Sequence, residues 1–278
     1  MLRPILRALV STVLPTAAPA HEYWLEPSSY SAAAGDTLVV RAFVGTGFRG
    51  ELKPYAPTRV VRLELHGRDE RDLAGSALNG DLAFARFVLP DERGAVVAYQ
   101  SNFAAIEMES AKFDEYLVAE GLDAAHAERT RRGATGPARE LYARCCKTWI
   151  AGSDVSRVQR VLGLRHEIVL LGDPLRDARL RVRVLFDGKP LAGALVRAWR
   201  ATGAHRAAAR DSVGPEAEVR TGPDGTASLD VHLSGEWLLS TVHMLPSSLR
   251  HADWESFWAS FTFERPAAAT LPPPKRRP

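Results

Sequence analysis

The feature that most constrains this chain is its supply of short alternating apolar runs, each cut off by turn residues. Val60-Val61-Arg62-Leu63-Glu64-Leu65-His66 repeats with a period of two, as does Leu82-Ala83-Phe84-Ala85-Arg86-Phe87-Val88. Residues 38–44 alternate more weakly, and residues 95–99 form another β-type run. Such alternation puts one set of side chains on each face of a strand. Gly35-Asp36, Asn79-Gly80-Asp81 and Pro90-Asp91-Glu92-Arg93-Gly94 supply the turns between runs. Strands this short at this spacing predict a β-sandwich.

The pattern returns after residue 160. Residues 166–171 are a β-type run ending at Gly172-Asp173-Pro174, and residues 180–186 alternate up to Asp187-Gly188. That dipeptide is a hairpin signal, with residues 194–199 expected as the partner strand. After a polar loop at about 201–217 come Pro223-Asp224-Gly225 and strands over 226–233, 236–243 and 256–264. These read as a second small sandwich.

The stretch at about 104–150 has a different character. Phe113, Tyr116, Leu117 and Glu120 follow helical spacing, with Gly121 as a stop. Asp123 is placed to cap a second short helix over 124–131. Gly136-Pro137 opens an expected third helix, with Leu141, Tyr142, Cys145 and Trp149 on one face. The expectation is an all-β chain of two Ig-like or transthyretin-like β-sandwich modules, residues 21–160 and 161–265, with a helical insertion in the first and a disordered tail over 266–278.

The N-terminus reads as an export signal. Arg3 and Arg7 give a positive start, residues 8–14 a short apolar core, and Ala18-Pro19-Ala20 a small-x-small cleavage site. The core is too short to span a bilayer, and no later segment is long and apolar enough. A periplasmic protein beginning at His21 is expected; a retained signal anchor is disfavoured by the cleavage site. Arg3 and Arg7 also carry much of the net +3 charge, so the rest of the chain is near neutral. No basic stripe interleaved with aromatics points to nucleic acid. The two cysteines, Cys145 and Cys146, are adjacent, which disfavours a disulfide, and two thiolates alone do not complete a metal site.

Three stretches together resemble a known family. They are His21-Glu22-Tyr23-Trp24-Leu25-Glu26-Pro27; the segment from Leu162-Gly163-Leu164-Arg165-His166 through Gly172-Asp173-Pro174 to Gly188-Lys189-Pro190-Leu191-Ala192-Gly193-Ala194; and Gly235-Glu236-Trp237-Leu238-Leu239 to His243-Met244 with Ala252-Asp253-Trp254-Glu255-Ser256-Phe257-Trp258. The combination is similar to a bacterial periplasmic family of unknown function, assigned as the periplasmic component of nickel/cobalt uptake systems. The resemblance implies Ni²⁺ or Co²⁺ as the bound ion and a membrane metal-uptake transporter as partner. It also implies a transthyretin-like or carboxypeptidase-regulatory second half, a module that binds and spaces rather than catalyses. The adjacent thiols depart from that family's pattern.

The residues allow a metal site. A chain starting at His21 offers an α-amine and an imidazole that can close one chelate ring on Ni²⁺, Co²⁺ or Cu²⁺. His243 is expected as a second imidazole. His251, Asp253 and Glu255, two apart, form a mixed nitrogen and oxygen set. Each has a plainer reading: a frayed terminus, a half-buried strand histidine, a polar loop. Glu22 and Glu26, close to His21 in sequence, read as surface charges in preference to completing its ligand shell, His66 and His232 as exposed, His166 as a strand start, and His126 and His205 as lying in polar company. No nucleophile elbow, phosphate-cradling loop or His-Glu-x-x-His signature occurs, so no enzyme is expected. Two alternatives stand beside metal uptake: a metal-free envelope scaffold, and a copper site of the terminal-histidine type.

Overall fold

A computed structural model describes residues 21–201 and 214–267. The expected export signal, most of the loop at 201–217 with His205, and nearly all of the tail lie outside the described residues. In chain order the first half holds β1 (Glu22–Pro27), β2 (Thr37–Thr46), β3 (Arg49–Lys53), β4 (Val60–His66), β5 (Glu70–Asp72), β6 (Ala85–Val88), β7 (Ala95–Ser101) and β8 (Ala104–Met108). Helices α1 (Ser110–Ala119) and α2 (Asp123–Arg131) and the long strand β9 (Ala138–Ile150) follow. The second half holds β10 (His166–Leu170), β11 (Arg179–Phe186), β12 (Lys189–Pro190), β13 (Leu195–Ala201), β14 (Ala217–Arg220), β15 (Thr226–Asp230), β16 (Gly235–Pro246) and β17 (Trp254–Arg265).

These strands form a sandwich-type all-β fold around one large sheet. Its order is β14-β13-β16-β17-β9-β7-β4-β5, with β8 also pairing on β9. Strands from both halves of the sequence share it, joined where β17 runs parallel to β9 from Trp254↔Glu140 to Thr262↔Thr148. A small sheet of β1, β2, β3 and β6 covers one face of the first half, over Leu25, Val40, Phe84, Leu65, Val97 and Ile150. Another of β10, β11, β12 and β15 covers the opposite face of the second half, over Val182, Val184, Trp237, Leu239, Phe261 and Trp149. Neighbours such as Val96 and Val97, or Trp149 and Ile150, belong to different cores because adjacent strand residues face opposite ways. Helix α1 packs Phe113, Tyr116 and Leu117, and α2 packs Ala125, in a cluster with Met244, Trp254 and Trp258 on the first of those faces.

Two of the three helices expected at 104–150 form; the third does not. Residues 138–150 are β9, a strand buried along most of its length between β17 on one side and β8 and β7 on the other. With both faces covered, apolar residues no longer alternate, and the run imitates helical spacing. Its Tyr, Cys, Thr, Trp and Ile favour the pleated strand. The Asp187-Gly188 turn forms, with positive φ at both residues (48° and 72°). The strand that pairs across it, however, is the short β12. β13 crosses into the large sheet, between β14 and β16. Both cysteines are free and buried. On a strand they point to opposite faces: Cys145 packs with Ala98 and Leu164, while the Cys146 thiol donates to the Tyr23 carbonyl at 3.2 Å. Burial pushes them up to about 11 and about 12.

Candidate functional site

Strand β1 fixes the N-terminal end of the described chain. It pairs with β2 from Glu22↔Gly45 to Pro27↔Val40 and lies across the large sheet. Side chains of that sheet bond its backbone: Thr262 Oγ1 donates to the Leu25 carbonyl at 2.6 Å, and Arg144 Nη1 to the His21 carbonyl at 2.7 Å. His21 is therefore anchored through its own main chain. Its Nδ1 lies 3.4 Å from Thr46 Oγ1. Partial burial and the Arg144 guanidinium hold the imidazole below its ordinary pKa, so the ring is neutral near neutral pH.

His21 stands at the mouth of a cavity of about 790 Å³. The β2–β3 hairpin forms one wall, carrying Thr46, Arg49, Glu51 and Lys53. The floor is the large sheet, through Met108 of β8, Glu140, Tyr142 and Arg144 of β9, and Trp258 of β17; Tyr116 of α1 and Trp199 of β13 line it as well. The hairpin tip can approach because Gly47 has φ +56° and carries no Cβ; one there would lie 2.7 Å from the Trp199 ring.

The floor is a buried polar network. Tyr116 Oη donates to Glu140 Oε1 at 3.2 Å, Ser256 Oγ donates to the same oxygen, and Trp258 Nε1 donates to Ser256 Oγ at 3.2 Å. Burial pushes the Glu140 carboxyl up to about 6 against those bonds and Arg144. Burial likewise raises Tyr116 well above the usual phenol range. Nearby, Trp199 Nε1 donates to Ser240 Oγ (3.2 Å), which donates to Glu22 Oε1 (3.3 Å). Burial and neighbouring Glu120 raise Glu22 to about 7. Glu22 and Glu26 are thus buried, not the surface charges expected. The Arg144 guanidinium lies over Trp258 (4.9 Å) and Tyr142 (5.0 Å).

The other expected ligands do not gather around His21. His243 is on β16, flanked by Val242 and Met244, which pack against the helices, so its own side chain emerges on the opposite face of the sheet. There it meets Phe186 edge-on (4.5 Å) and stacks on His166 (6.2 Å, 18°), with planes parallel rather than converging on an ion. Asp253 is paired with Arg139 at 2.8 Å, which holds its carboxyl below the usual range. Glu255 shares the face of His243 and accepts from Ser247 Oγ at 2.9 Å. His251 is exposed on the preceding turn.

Among the described residues, the group with close potential ligand atoms is Glu64, His66 and Glu70, within 4.8 Å of one another. His66 was expected to be exposed; it is 4 % exposed, closed in between β5 and β7. Its two nitrogens face different carboxylates, Nε2 to Glu64 at 3.0 Å and Nδ1 to Glu70 at 3.5 Å, and Arg62 already holds Glu64 at 2.6 Å.

Sequence reasoning missed Arg144, Glu140, Tyr142, Tyr116 and Trp258. A signal was present: Glu140, Tyr142 and Arg144 are spaced by two, the polar face of a strand, obscured by the helical reading of that segment.

A family model described as a domain of unknown function (DUF4198) matches residues 18–245. No curated protein matches. Among solved structures, the D0-D1 domain of intimin is 12% identical, with 87% of this chain and 97% of that chain covered and a TM-score of 0.19. A Salmonella alpha-2-macroglobulin mutant is also 12% identical, with 92% of this chain and 16% of that one covered and a TM-score of 0.17.

Proposed function

Since the chain belongs to the DUF4198 family of unknown function, we propose from its site that it is a periplasmic binding protein, not an enzyme, which holds a nickel or cobalt ion at His21 for a membrane uptake system. One observation carries the reading. His21 is anchored by its carbonyl at the cavity mouth with a neutral imidazole, so a chain cut after Ala20 would present its α-amine there too. Amine and Nδ1 close one chelate ring, and borderline divalent ions favour such nitrogen ligands. Glu51, close enough to bias the His21 imidazole, is the carboxylate at this end. His243, His251, Asp253 and Glu255 lie elsewhere and are not needed for this chelate.

The test is calorimetric titration of Ni²⁺, Co²⁺ and Cu²⁺ into protein confirmed by mass spectrometry to begin at His21, beside the same protein with one extra alanine before it. Tight binding that the alanine abolishes is the expected result, and the affinities for the three ions, read against the general rise from Co²⁺ through Ni²⁺ to Cu²⁺, weigh nickel or cobalt delivery against the copper alternative. No binding in either form refutes the metal reading and leaves the envelope scaffold.

A further inference from the structure

The cavity behind His21 is far larger than a metal ion needs, and its floor has a chemistry of its own. At about 790 Å³ it lies in the range of pockets that enclose small organic ligands. Much of the lining is apolar or aromatic: Ile106, Met108, Tyr142, Trp199 and Trp258. Four cations line it, Arg49, Lys53, Arg144 and Arg200, and Arg144 is the one held by aromatic rings. Arg144 is half-buried, and its guanidinium is stacked over Trp258 and Tyr142. Nη1 is used on the His21 carbonyl. Among the described residues, Nε and Nη2 have no hydrogen-bond partner.

The charge around Arg144 is uneven. Lys53 is paired with Glu51 and Arg200 with Glu216, whereas Arg49 at the mouth has no ion-pair partner among the described residues. The acid of the floor, Glu140, is occupied by Tyr116 and Ser256. A half-desolvated guanidinium with free N–H groups is best satisfied by an oxyanion, and its fork matches a carboxylate. The stacking rings fix the fork in place at little further entropic cost.

We propose that this cavity is a binding site for a small organic carboxylate with an apolar body. The carboxylate meets Arg144, and the body lies against Trp258, Met108 and Ile106. The inference requires the cavity and Arg144, but not a metal at His21.

The test therefore uses the full mature chain carrying the extra N-terminal alanine, which removes the proposed chelate. Benzoate and octanoate are the probes, with benzamide and octanamide as neutral counterparts, followed by calorimetry and ligand-observed NMR. At least one carboxylate should bind at least tenfold more tightly than its amide. Arg144→Gln should erase that preference while the far-ultraviolet circular dichroism stays the same. Should Arg144→Gln not fold, Ile106→Trp serves instead: it fills the cavity from a half-exposed position and should abolish binding. Equal binding of acid and amide, carboxylate binding that survives either variant, or no binding of either acid would overturn the proposal. Metal binding at His21 could still stand in each of those cases.

Discussion

His166 offers the sharpest physical test of the interior. It is completely buried on β10, and neither ring nitrogen has a hydrogen-bond partner. Burial, and to a lesser degree His243 stacked beside it, pushes its pKa down from 6.5 to about 3. The folded protein thus holds this ring neutral while the unfolded chain protonates it below pH 6.5. The stability it contributes is complete above that pH and is lost progressively as pH falls towards 3. At about 1.4 kcal/mol per pH unit, and allowing for partial titration near 6.5, the loss between about pH 7.5 and about pH 5 is ~2 kcal/mol. His166→Phe keeps a flat ring against Phe186 and removes the titration. His21, His66 and His243 shift in the same direction and Glu22 and Glu140 in the opposite one, so only the difference between variant and parent isolates His166. The assay is urea unfolding of both proteins across that pH range. The variant should be as stable as the parent or more so at the upper end, because two unsatisfied buried nitrogens are gone. Its advantage should grow by ~2 kcal/mol on acidification. Parallel stability curves would refute the reasoning.

Two further perturbations probe the large sheet. Lys147 and Glu167 form a buried ion pair at 2.8 Å, and Glu167 also accepts from the backbone N–H groups of Leu162, Gly163 and Leu164. Lys147→Met leaves that carboxylate without its cation and should cost about 3–5 kcal/mol in urea unfolding at neutral pH; a cost under about 1 kcal/mol would contradict the pairing. Cys145 and Cys146, both buried with raised pKa, should be unreactive to Ellman's reagent in the native protein and should both titrate after unfolding. Rapid reaction of either native thiol would place it at the surface instead.

The sequence by itself determined the class of fold and most of its strands. Val60–His66 is β4 with the bounds its alternation marks: Leu63 and Leu65 are buried while Arg62 and Glu64 between them are only half-buried, and the period breaks at the irregularity between Val60 and Arg62, which leaves Val61 exposed. Asp187-Gly188 turns where its chemistry requires, since both residues accept positive φ. The helical spacing of Phe113, Tyr116 and Leu117 also forms, as α1 buries them against the sheet. What only the tertiary structure decided is which of these elements meet. β9 looked helical because burial on both faces removes the alternation that marks a strand, and whether a face is buried depends on partners over 100 residues away, such as β17. His243 is a plausible ligand in the sequence, but strand parity sends it to the face opposite the cavity, beside His166. Arg144 gains meaning only when Trp258 from β17, the His21 carbonyl from β1 and the β2–β3 hairpin close around it. Local patterning encodes the period of a segment; the cavity is made by contacts distant in sequence, set by how strands cross between sheets, and no local period records that.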